Sequence, residues 1–252
     1  MKLGIIGVGH LASSVLKGLL HAGVAPHTIC LSPRGHGPDL AAQHGFNLAT
    51  DNASLVAESD VVLLAVRPAD AADVINGLPW RAEHVIMSAC AGVTIERLAL
   101  GAGPARVVRI MPITASELGA SPTIVYPMLP ECRSFLEAIG TVIALDSEDQ
   151  FEAATVSAAV YGWAQALIRT GAEWGARNGL DPVVARQLMA RTFVASGRIQ
   201  GEQNAPMDDI LASLCTPGGI TETGLRSIER NGVPDAWTDA CDLVLRKLRG
   251  TD

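Results

Sequence analysis

The chain has 252 residues, 48% of them hydrophobic, and a formal net charge of −7. This length gives room for two modest domains with real hydrophobic cores. The negative charge and the lack of a basic run argue against nucleic acid as a partner. No apolar run approaches the ~20 residues of a membrane span, and the first residues lack the basic region and cleavage site of a signal peptide. We therefore expect a cytoplasmic globular protein that has no membrane partner.

The cysteines bear on metal binding and redox state. The five are Cys30, Cys90, Cys132, Cys215 and Cys241. They form no C-x-x-C pair and their number is odd, which argues against both a zinc site and a disulfide framework. We expect no metal site, and thiols that are reduced and mostly buried.

The first fourteen residues read as a strand, a tight glycine turn and a helix. An apolar run at residues 3–6 is followed by Gly7-Val8-Gly9-His10-Leu11-Ala12, a G-x-G-x-x-A pattern. Gly7 permits the sharp turn, Gly9 lets backbone amides approach a pyrophosphate, and Ala12 lets the helix pack on the strand. The motif predicts a dinucleotide site; the alternative is a glycine turn with a structural role only. The residues predicted to hold the cofactor here are Gly7, Gly9, His10, Leu11 and Ala12.

The end of the second predicted strand, residues 28–31, bears on the choice of cofactor. Enzymes that prefer NAD usually place Asp or Glu here to bind the ribose 2′-hydroxyl, whereas an arginine and a small hydroxyl suit a 2′-phosphate. This chain has Ser32 and Arg34 at that point and no acid. We therefore expect NADPH to be preferred over NADH. The alternative is that Arg34 is an ordinary solvated loop residue.

Strand and helix patterns alternate through the first 146 residues. Further strands are predicted at 46–49, 61–66, 85–89, 106–112, 123–126 and 140–145, and helices at 39–45 and 131–138. The alternation predicts an α/β, Rossmann-type dinucleotide-binding domain with a parallel sheet over residues 1–146. Ligands bind at the carboxyl ends of strands in such sheets. The further residues expected along the cofactor are therefore Ala65, Val66 and Arg67, with Ala91 and Gly92 after the next strand.

From residue 147 onward, helical periodicity replaces the strand patterns. A helix start is predicted at residues 147–149, and helices are predicted over 152–178, 181–201, 206–214, 222–230 and 235–249. A proline and two adjacent glycines interrupt them at residues 215–221. The second domain, residues 147–252, is thus predicted to be all-helical. Because its apolar helix faces cannot readily close a core alone, we expect a homodimer or a higher homo-oligomer.

With these elements placed, the sequence resembles the pyrroline-5-carboxylate reductase family over essentially the whole chain. Besides the glycine motif, the resemblance rests on residues 64–68, 91–95, 109–112 and 135–140, and above all on Thr216-Pro217-Gly218-Gly219-Ile220-Thr221. It implies an NAD(P)H-dependent oxidoreductase of proline biosynthesis. Its small-molecule substrate would be a cyclic imine carboxylate, 1-pyrroline-5-carboxylate, which becomes proline.

The resemblance also implies a role for the segment 216–221. The family usually carries S-P-G-G-x-T there. The first hydroxyl and nearby amides hold the substrate carboxylate, and the last threonine faces the ring nitrogen. Thr216 and Thr221 are thereby implied as catalytic and substrate-binding residues, and Gly218 and Gly219 as substrate-binding residues. Exposed backbone N–H groups and hydroxyls can bind a carboxylate without a basic side chain. The alternative is a plain turn between helices.

Two segments depart from the family pattern. The family's S-G-S-G-P-A-Y corresponds to residues 157–163, where only Ser157 survives, and Ile113 replaces the asparagine of M-P-N-T-P. The apolar residues Val160, Tyr161 and Trp163 either line the cleft and alter the ring that is accepted, or pack in a core.

These departures keep two alternatives open: a reductase of a different cyclic imine, and a catalytically degenerate dinucleotide-binding protein. The β-hydroxyacid dehydrogenases share the two-domain layout but use a catalytic lysine on the interdomain helix. Residues 150–180 contain no lysine, and an arginine cannot deprotonate to replace it. That class is therefore excluded.

Overall fold

The structure, a computed structural model, describes residues 1–251. They form two compact units: Met1–Ala158 with the segment from Leu245 onward, and Ala159–Val244. The strands of the first unit are β1 (Leu3–Ile6), β2 (Ile29–Leu31), β3 (Asn47–Leu48), β4 (Val61–Leu64), β5 (Val85–Ser88), β6 (Arg106–Met111), β7 (Ser121–Tyr126) and β8 (Gly140–Ala144). The helices are α1 (His10–His21), α2 (Gly37–His44), α3 (Asn52–Glu58), α4 (Ala71–Ile75), α5 (Ile95–Ala99), α6 (Pro130–Ala138), α7 (Glu148–Arg177), α8 (Pro182–Glu202), α9 (Met207–Ser213), α10 (Ile220–Arg230) and α11 (Val233–Arg249).

One eight-stranded sheet organises the first unit, in the order β3-β2-β1-β4-β5-β6-β7-β8. This order reverses at β1, as in dinucleotide-binding sheets, so the predicted Rossmann-type fold is confirmed. The expectation of a parallel sheet is wrong at β7, which runs antiparallel to β6. The reason is the connection at residues 112–120. It holds only a 3₁₀ turn, Thr114–Leu118, whereas a parallel connection needs a longer crossover, usually a helix.

Helices cover both faces of the sheet. Leu3 and Ile5 of β1 join α1 and α6 in one hydrophobic cluster, whereas Ile6 joins α3, α4 and α5 in another. Successive side chains of a strand point to opposite faces, so each central strand must be apolar at every position. This is why β4 reads Val-Val-Leu-Leu and is buried throughout.

Several predicted boundaries move. The strand predicted at 61–66 ends at Leu64 because the chain turns into a 3₁₀ segment at Pro68–Asp70. The strand predicted at 46–49 shrinks to two residues, and α3, α4 and α5 were not predicted. The helices predicted from 222 and 235 begin at 220 and 233, whereas α7 begins at Glu148, inside the helix start predicted at residues 147–149. Acidic residues and proline are tolerated in the first turn of a helix, so Glu222 and Asp235 lie inside the first turns of α10 and α11.

The second unit contains helices only, which confirms the predicted all-helical C-terminal region. Asp181 caps α8: its carboxylate accepts from the N–H groups of Val183 (2.9 Å) and Val184 (3.1 Å). Within Ala159–Val244, the buried hydrophobic residues are Ala185 and Ile210. No helix in residues 1–251 has the length and apolar character needed to cross a membrane.

Candidate cofactor and substrate sites

A cleft of about 490 Å³ opens where β1, β2 and β4 end. Ile5 pairs with Leu31 and Ile6 with Leu64, so these carboxyl ends lie side by side. The cleft is lined by Ile6, Gly7, Val8, Gly9, Ser32, Arg34, Gly35, Asn52, Ala65, Val66, Arg67, Asp70, Asp73 and Val74. Seven residues predicted to bind the cofactor from three separate sequence segments are therefore brought together: Gly7, Gly9, Ser32, Arg34, Ala65, Val66 and Arg67.

The turn after β1 requires glycine at position 7. Gly7 has a φ of 91°, and a Cβ built on it would lie 2.7 Å from the backbone C and O of Ala65. Both the dihedral angle and the close approach exclude a side chain. The Gly7 N–H donates to the Oγ of buried Ser32 at 3.3 Å, which ties the turn to the end of β2.

Gly9 is the N-cap of α1, and no side chain caps this helix. A Cβ on Gly9 would have no atom within 4 Å, so open space lies beside this backbone. An uncapped helix N-terminus offers unpaired N–H groups and a positive dipole end, which together favour an anion such as phosphate.

Charged side chains of both signs line the cleft. Arg34 and Arg67 are exposed, and neither side chain has a hydrogen bond or ion pair with residues 1–251. Arg34 follows β2, where a 2′-phosphate is bound in folds of this kind. Asp70 and Asp73 line the same cleft.

Sequence reasoning missed three polar lining residues: Asn52, Asp70 and Asp73. Asn52 lies just beyond the end of β3, so the rule that ligands bind at carboxyl ends would have found it. The two aspartates belong to the 3₁₀ turn and α4, which the sequence did not predict.

The remaining predicted cofactor residues do not line this cleft. His10 is exposed and Leu11 half-buried on α1, while Ala12 is buried in the core beneath the sheet. Ala91 packs on a cluster that contains Phe151. Gly92 has a φ of 69°, and a Cβ there would lie 2.8 Å from the carbonyl oxygen of Leu248 in α11. Backbone packing inside the first unit therefore already requires glycine at position 92.

Burial disfavours the thiolate form of Cys90, which follows β5. The Cys90 thiol is buried, with Sγ 3.5 Å from the carbonyl oxygen of Val66, and burial raises its pKa. All five cysteines are free. In the described part of the chain, residues 1–251, no group of three or more His, Cys, Asp or Glu side chains is arranged to hold a metal ion.

The segment predicted as a loop at 215–221 is shorter in the structure. α10 begins at Ile220, so Thr221 lies in its first turn, a correction to the loop prediction. The helix starts early because Gly219 acts as N-cap and its carbonyl accepts from Thr223 N–H at 3.0 Å. A Cβ on Gly219 would collide with the Oγ1 of Thr216. Gly218 takes a φ of 72°, so both glycines are required by the backbone.

The Glu222 carboxylate accepts a hydrogen bond from one of the backbone N–H groups of this segment. The Gly218 N–H donates to Glu222 Oε2 at 2.7 Å, and Arg226 Nη2 donates to Glu222 Oε1 at 2.7 Å. Thr216 and Thr221 are exposed, and their hydroxyls have no hydrogen-bond partner among residues 1–251. Sequence reasoning missed Glu222. An acid at the third position of a helix commonly accepts a hydrogen bond from a backbone N–H near the N-cap, and this pattern could have identified Glu222.

Two residues of the segments that depart from the family pattern, Trp163 and Ile113, make defined contacts in the structure. Trp163 packs edge-to-face on Trp237, with ring centroids 5.4 Å apart, inside the second unit. This contact favours the packing alternative for Trp163. Ile113 precedes the 3₁₀ turn after β6, and its N–H donates to Ser121 Oγ at 3.0 Å.

Comparisons with known proteins agree with both halves of the fold. Residues 2–92 match the family model described as NADP oxidoreductase coenzyme F420-dependent, and residues 148–250 match that of pyrroline-5-carboxylate reductase dimerisation. The pyrroline-5-carboxylate reductase of Methanosarcina acetivorans is 30% identical over 95% of this chain and 93% of its own length.

Solved structures give the same result. The 1-pyrroline-5-carboxylate reductase of Streptococcus pyogenes superposes with a TM-score of 0.86 at 26% identity, covering 99% of this chain and 98% of its own. The pyrroline carboxylate reductase of Plasmodium falciparum with NADP bound is 22% identical over 100% of this chain and 98% of its own, has a TM-score of 0.88, and supports the fold alone. The chain is an oxidoreductase that belongs to the pyrroline-5-carboxylate reductase family.

Proposed function

We propose that this protein reduces 1-pyrroline-5-carboxylate to proline with NADPH as the hydride donor. One observation carries the proposal: the ends of three neighbouring strands form a cleft with an obligatory glycine turn, an uncapped helix N-terminus and an unpaired arginine. Those are the features that a phosphorylated dinucleotide needs. The match to a family whose named relatives act on pyrroline-5-carboxylate supports the substrate.

Several residues would hold the cofactor. Gly7 and Gly9 would place backbone N–H groups against the pyrophosphate, and Arg34 with the Ser32 hydroxyl would bind the 2′-phosphate. Ala65 and Val66 would form the apolar floor of the cleft beside Arg67. A bound dinucleotide supplies the hydride that adds to the carbon of the C=N bond. The chain's task is orientation, because a protonated imine needs no strong base from the enzyme.

The segment around α10 would hold the substrate. The hydroxyl of Thr216 and the amides of Gly218 and Gly219 would bind the carboxylate, and the Thr221 hydroxyl would face the ring nitrogen. In the structure, the Glu222 carboxylate already accepts from Gly218, so a substrate carboxylate that uses this amide must displace it.

The second unit supports homo-oligomerisation. Its helices expose large apolar side chains along their length, among them Val183, Leu188 and Phe193 of α8. A single unit that leaves such residues in water gains little from the hydrophobic effect, so we expect a second copy of the chain to bury them in an interface. The match of residues 148–250 to a dimerisation family supports the same conclusion.

The activity is tested by NADPH oxidation with 1-pyrroline-5-carboxylate and by chromatographic detection of proline. Other cyclic imines, with and without a carboxylate, serve as competing substrates. Turnover of a different ring alone would replace the substrate in this proposal. NADPH binding with no turnover of any imine would favour the degenerate binding protein.

Thr221→Val tests the substrate segment because it keeps shape and deletes one hydroxyl. If that hydroxyl contacts the reacting nitrogen in the transition state, kcat/KM falls by roughly 1 to 3 kcal/mol, about 5- to 150-fold. The dissociation constant of NADPH stays unchanged, since the cleft lies in the other unit. A loss confined to NADPH binding would contradict the assignment. Thr223→Val, on the same helix, controls for the loss of a threonine hydroxyl that instead donates to the Gly219 carbonyl at 2.9 Å.

A further inference from the structure

An ionic cluster around the buried Arg109 and Glu152, with a partly exposed Glu148, joins β6 to the beginning of α7. Arg109 of β6 is 1% exposed. Its Nη1 lies 3.0 Å from Glu148 Oε1 and its Nη2 lies 2.6 Å from Glu152 Oε2. The guanidinium carbon sits 4.5 Å from the centroid of the Phe151 ring. All four side chains belong to the first unit.

Stability alone is a poor explanation for this cluster. Burying the Arg109 guanidinium and the Glu152 carboxylate carries a desolvation cost that their attraction roughly repays, and apolar residues of similar volume often do as well. The planar guanidinium does fix geometry, because its fork holds two carboxylates at set directions. The cluster is therefore better suited to positioning a segment than to strengthening the core.

The segment that this cluster contacts, residues 90–94, follows β5 and precedes α5. Glu148 Oε1, the oxygen that contacts Arg109, also accepts from the backbone N–H of Ile95 at 2.8 Å. Ile95 is the first residue of α5, so this carboxylate holds the end of residues 90–94. The beginning of the segment is held by the Cys90 N–H, which donates to Ser88 Oγ at 3.3 Å. Between these two points, Ala91 packs on the cluster that contains Phe151.

Residues 90–94 lie on one side of the point where the strand order reverses. Dinucleotides bind across that point, and the unpaired Arg34 marks the side of β2 as the adenosine half. The segment after β5 then falls on the nicotinamide half. It contains Ala91 and Gly92, which line no part of the cleft between β2 and β4.

We propose that Glu148, held by Arg109, is a positioning residue that fixes residues 90–94 against the nicotinamide half of the cofactor. The inference rests on the proposed NADPH-dependent function. It predicts that the Glu148 contact matters for the whole cofactor and for turnover, but not for a ligand that occupies the adenosine half alone.

The test uses the full-length protein and two ligands, NADPH and adenosine 2′,5′-bisphosphate. Glu148→Ala removes the acceptor, so we expect the dissociation constant of NADPH to rise about 3- to 10-fold, the effect of one hydrogen bond. The constant for adenosine 2′,5′-bisphosphate stays within about 2-fold. Glu148→Gln keeps an oxygen for the Ile95 N–H and recovers most of the affinity. Asp149→Ala, which removes an exposed acid from the same helical turn, is the control.

A second variant keeps the proposal testable if Glu148→Ala does not fold. Ile95→Pro deletes the N–H donor but leaves the buried charges in place, and proline suits the first position of a helix. It should reproduce the selective loss of NADPH affinity. Equal losses for both ligands, or none for either, would overturn the positioning role. Wild-type protein that binds NADPH but reduces no imine would refute the proposed reaction alone, whereas wild-type protein that binds no NADPH would overturn both.

Discussion

The cleft at the carboxyl ends of β1, β2 and β4 and the substrate segment at residues 216–221 are built in contrasting ways. At the cleft, Gly7 and Ser32 are fixed by neighbouring strands through close packing and a hydrogen bond. At the segment, Thr216 and Thr221 are exposed and meet no partner among residues 1–251. A single chain therefore holds the lining of the cleft in place, whereas residues 216–221 belong to a unit that buries few of its apolar side chains in a single chain.

The same contrast holds for the hydrophobic cores. The first unit covers both faces of its sheet with helices. The second buries only Ala185 and Ile210 among its hydrophobic residues, while Trp174 and Val194 are more than half exposed. Apolar surface of this extent is normally covered in a functional protein. When copies of the chain are separated, we therefore expect NADPH affinity to be kept and substrate turnover to be lost.

The largest effect is expected from Leu188→Glu on α8. In a two-fold interface each substitution appears twice, and an unpaired polar group buried on association costs roughly 1 to 3 kcal/mol. The dimer dissociation constant should rise about 30-fold to 10⁴-fold, and turnover should fall with the dimer. Sedimentation equilibrium measures the first and NADPH oxidation the second.

Two controls accompany this variant. Gln200→Glu adds the same charge to α8 at a position that is already polar, and it should leave the dimer intact. The NADPH affinity of monomeric Leu188→Glu should match wild type, because the cleft belongs to the first unit. A monomer with full turnover would contradict the contrast between the two regions.

Gly7→Ala should damage the cleft. The residue must hold a φ of 91° and its methyl group would meet the Ala65 backbone at 2.7 Å. Strain of this kind costs roughly 1 to 3 kcal/mol, so the dissociation constant of NADPH should rise about 5- to 150-fold. Gly23→Ala is the matched control: φ is 82°, but a Cβ there has open space and lies outside the cleft. Fluorescence titration separates the two, and equal NADPH affinities would exclude the turn from the site.

Arg34→Ala should change the choice of cofactor. An exposed charge-assisted contact to a 2′-phosphate is screened by solvent, so we expect the preference for NADPH over NADH to fall about 10-fold. Arg67→Ala removes another unpaired arginine from the same cleft and should weaken both cofactors alike. An unchanged ratio in Arg34→Ala would make this arginine an ordinary loop residue.

The sequence predicted the sheet unit well because its signals are local and steric. The Gly7-x-Gly9 turn and the buried run of β4 each read directly as one conformation. The antiparallel direction of β7 was missed because it depends on the length and structure of the connection at residues 112–120. That connection is a 3₁₀ turn, which has no periodic sequence pattern. The buried Arg109 cluster was missed for a different reason: its carboxylates come from α7, and pairing between distant charges has no sequence pattern.

The substrate role of the α10 segment, unlike its turn, was implied only by the family resemblance. Its glycines indicated a turn, and the structure requires both of them. The start of α10 at Ile220 followed from the N-cap geometry of Gly219, which a proline-glycine run conceals. The roles of Thr216 and Thr221 stay predictions, since neither hydroxyl has a hydrogen-bond partner among the described residues.

The smallest effect is expected from Glu222→Gln, which probes how the substrate segment is kept before substrate arrives. Glu222 accepts from the Gly218 N–H at 2.7 Å and is held by Arg226. A carboxylate accepts such a hydrogen bond about twice as strongly as a neutral amide, and its charge repels a second carboxylate. Removing the charge should therefore lower KM for 1-pyrroline-5-carboxylate about 3-fold and leave kcat and NADPH affinity unchanged. Glu229→Gln, two turns along the same helix and without an ion pair among residues 1–251, controls for the general loss of negative charge. If Glu222→Gln raises KM instead, the Glu222 carboxylate stabilises the conformation that binds substrate rather than competing with the substrate carboxylate for the Gly218 N–H. The substrate segment would then be preorganised by its own side chains, as the cofactor cleft is.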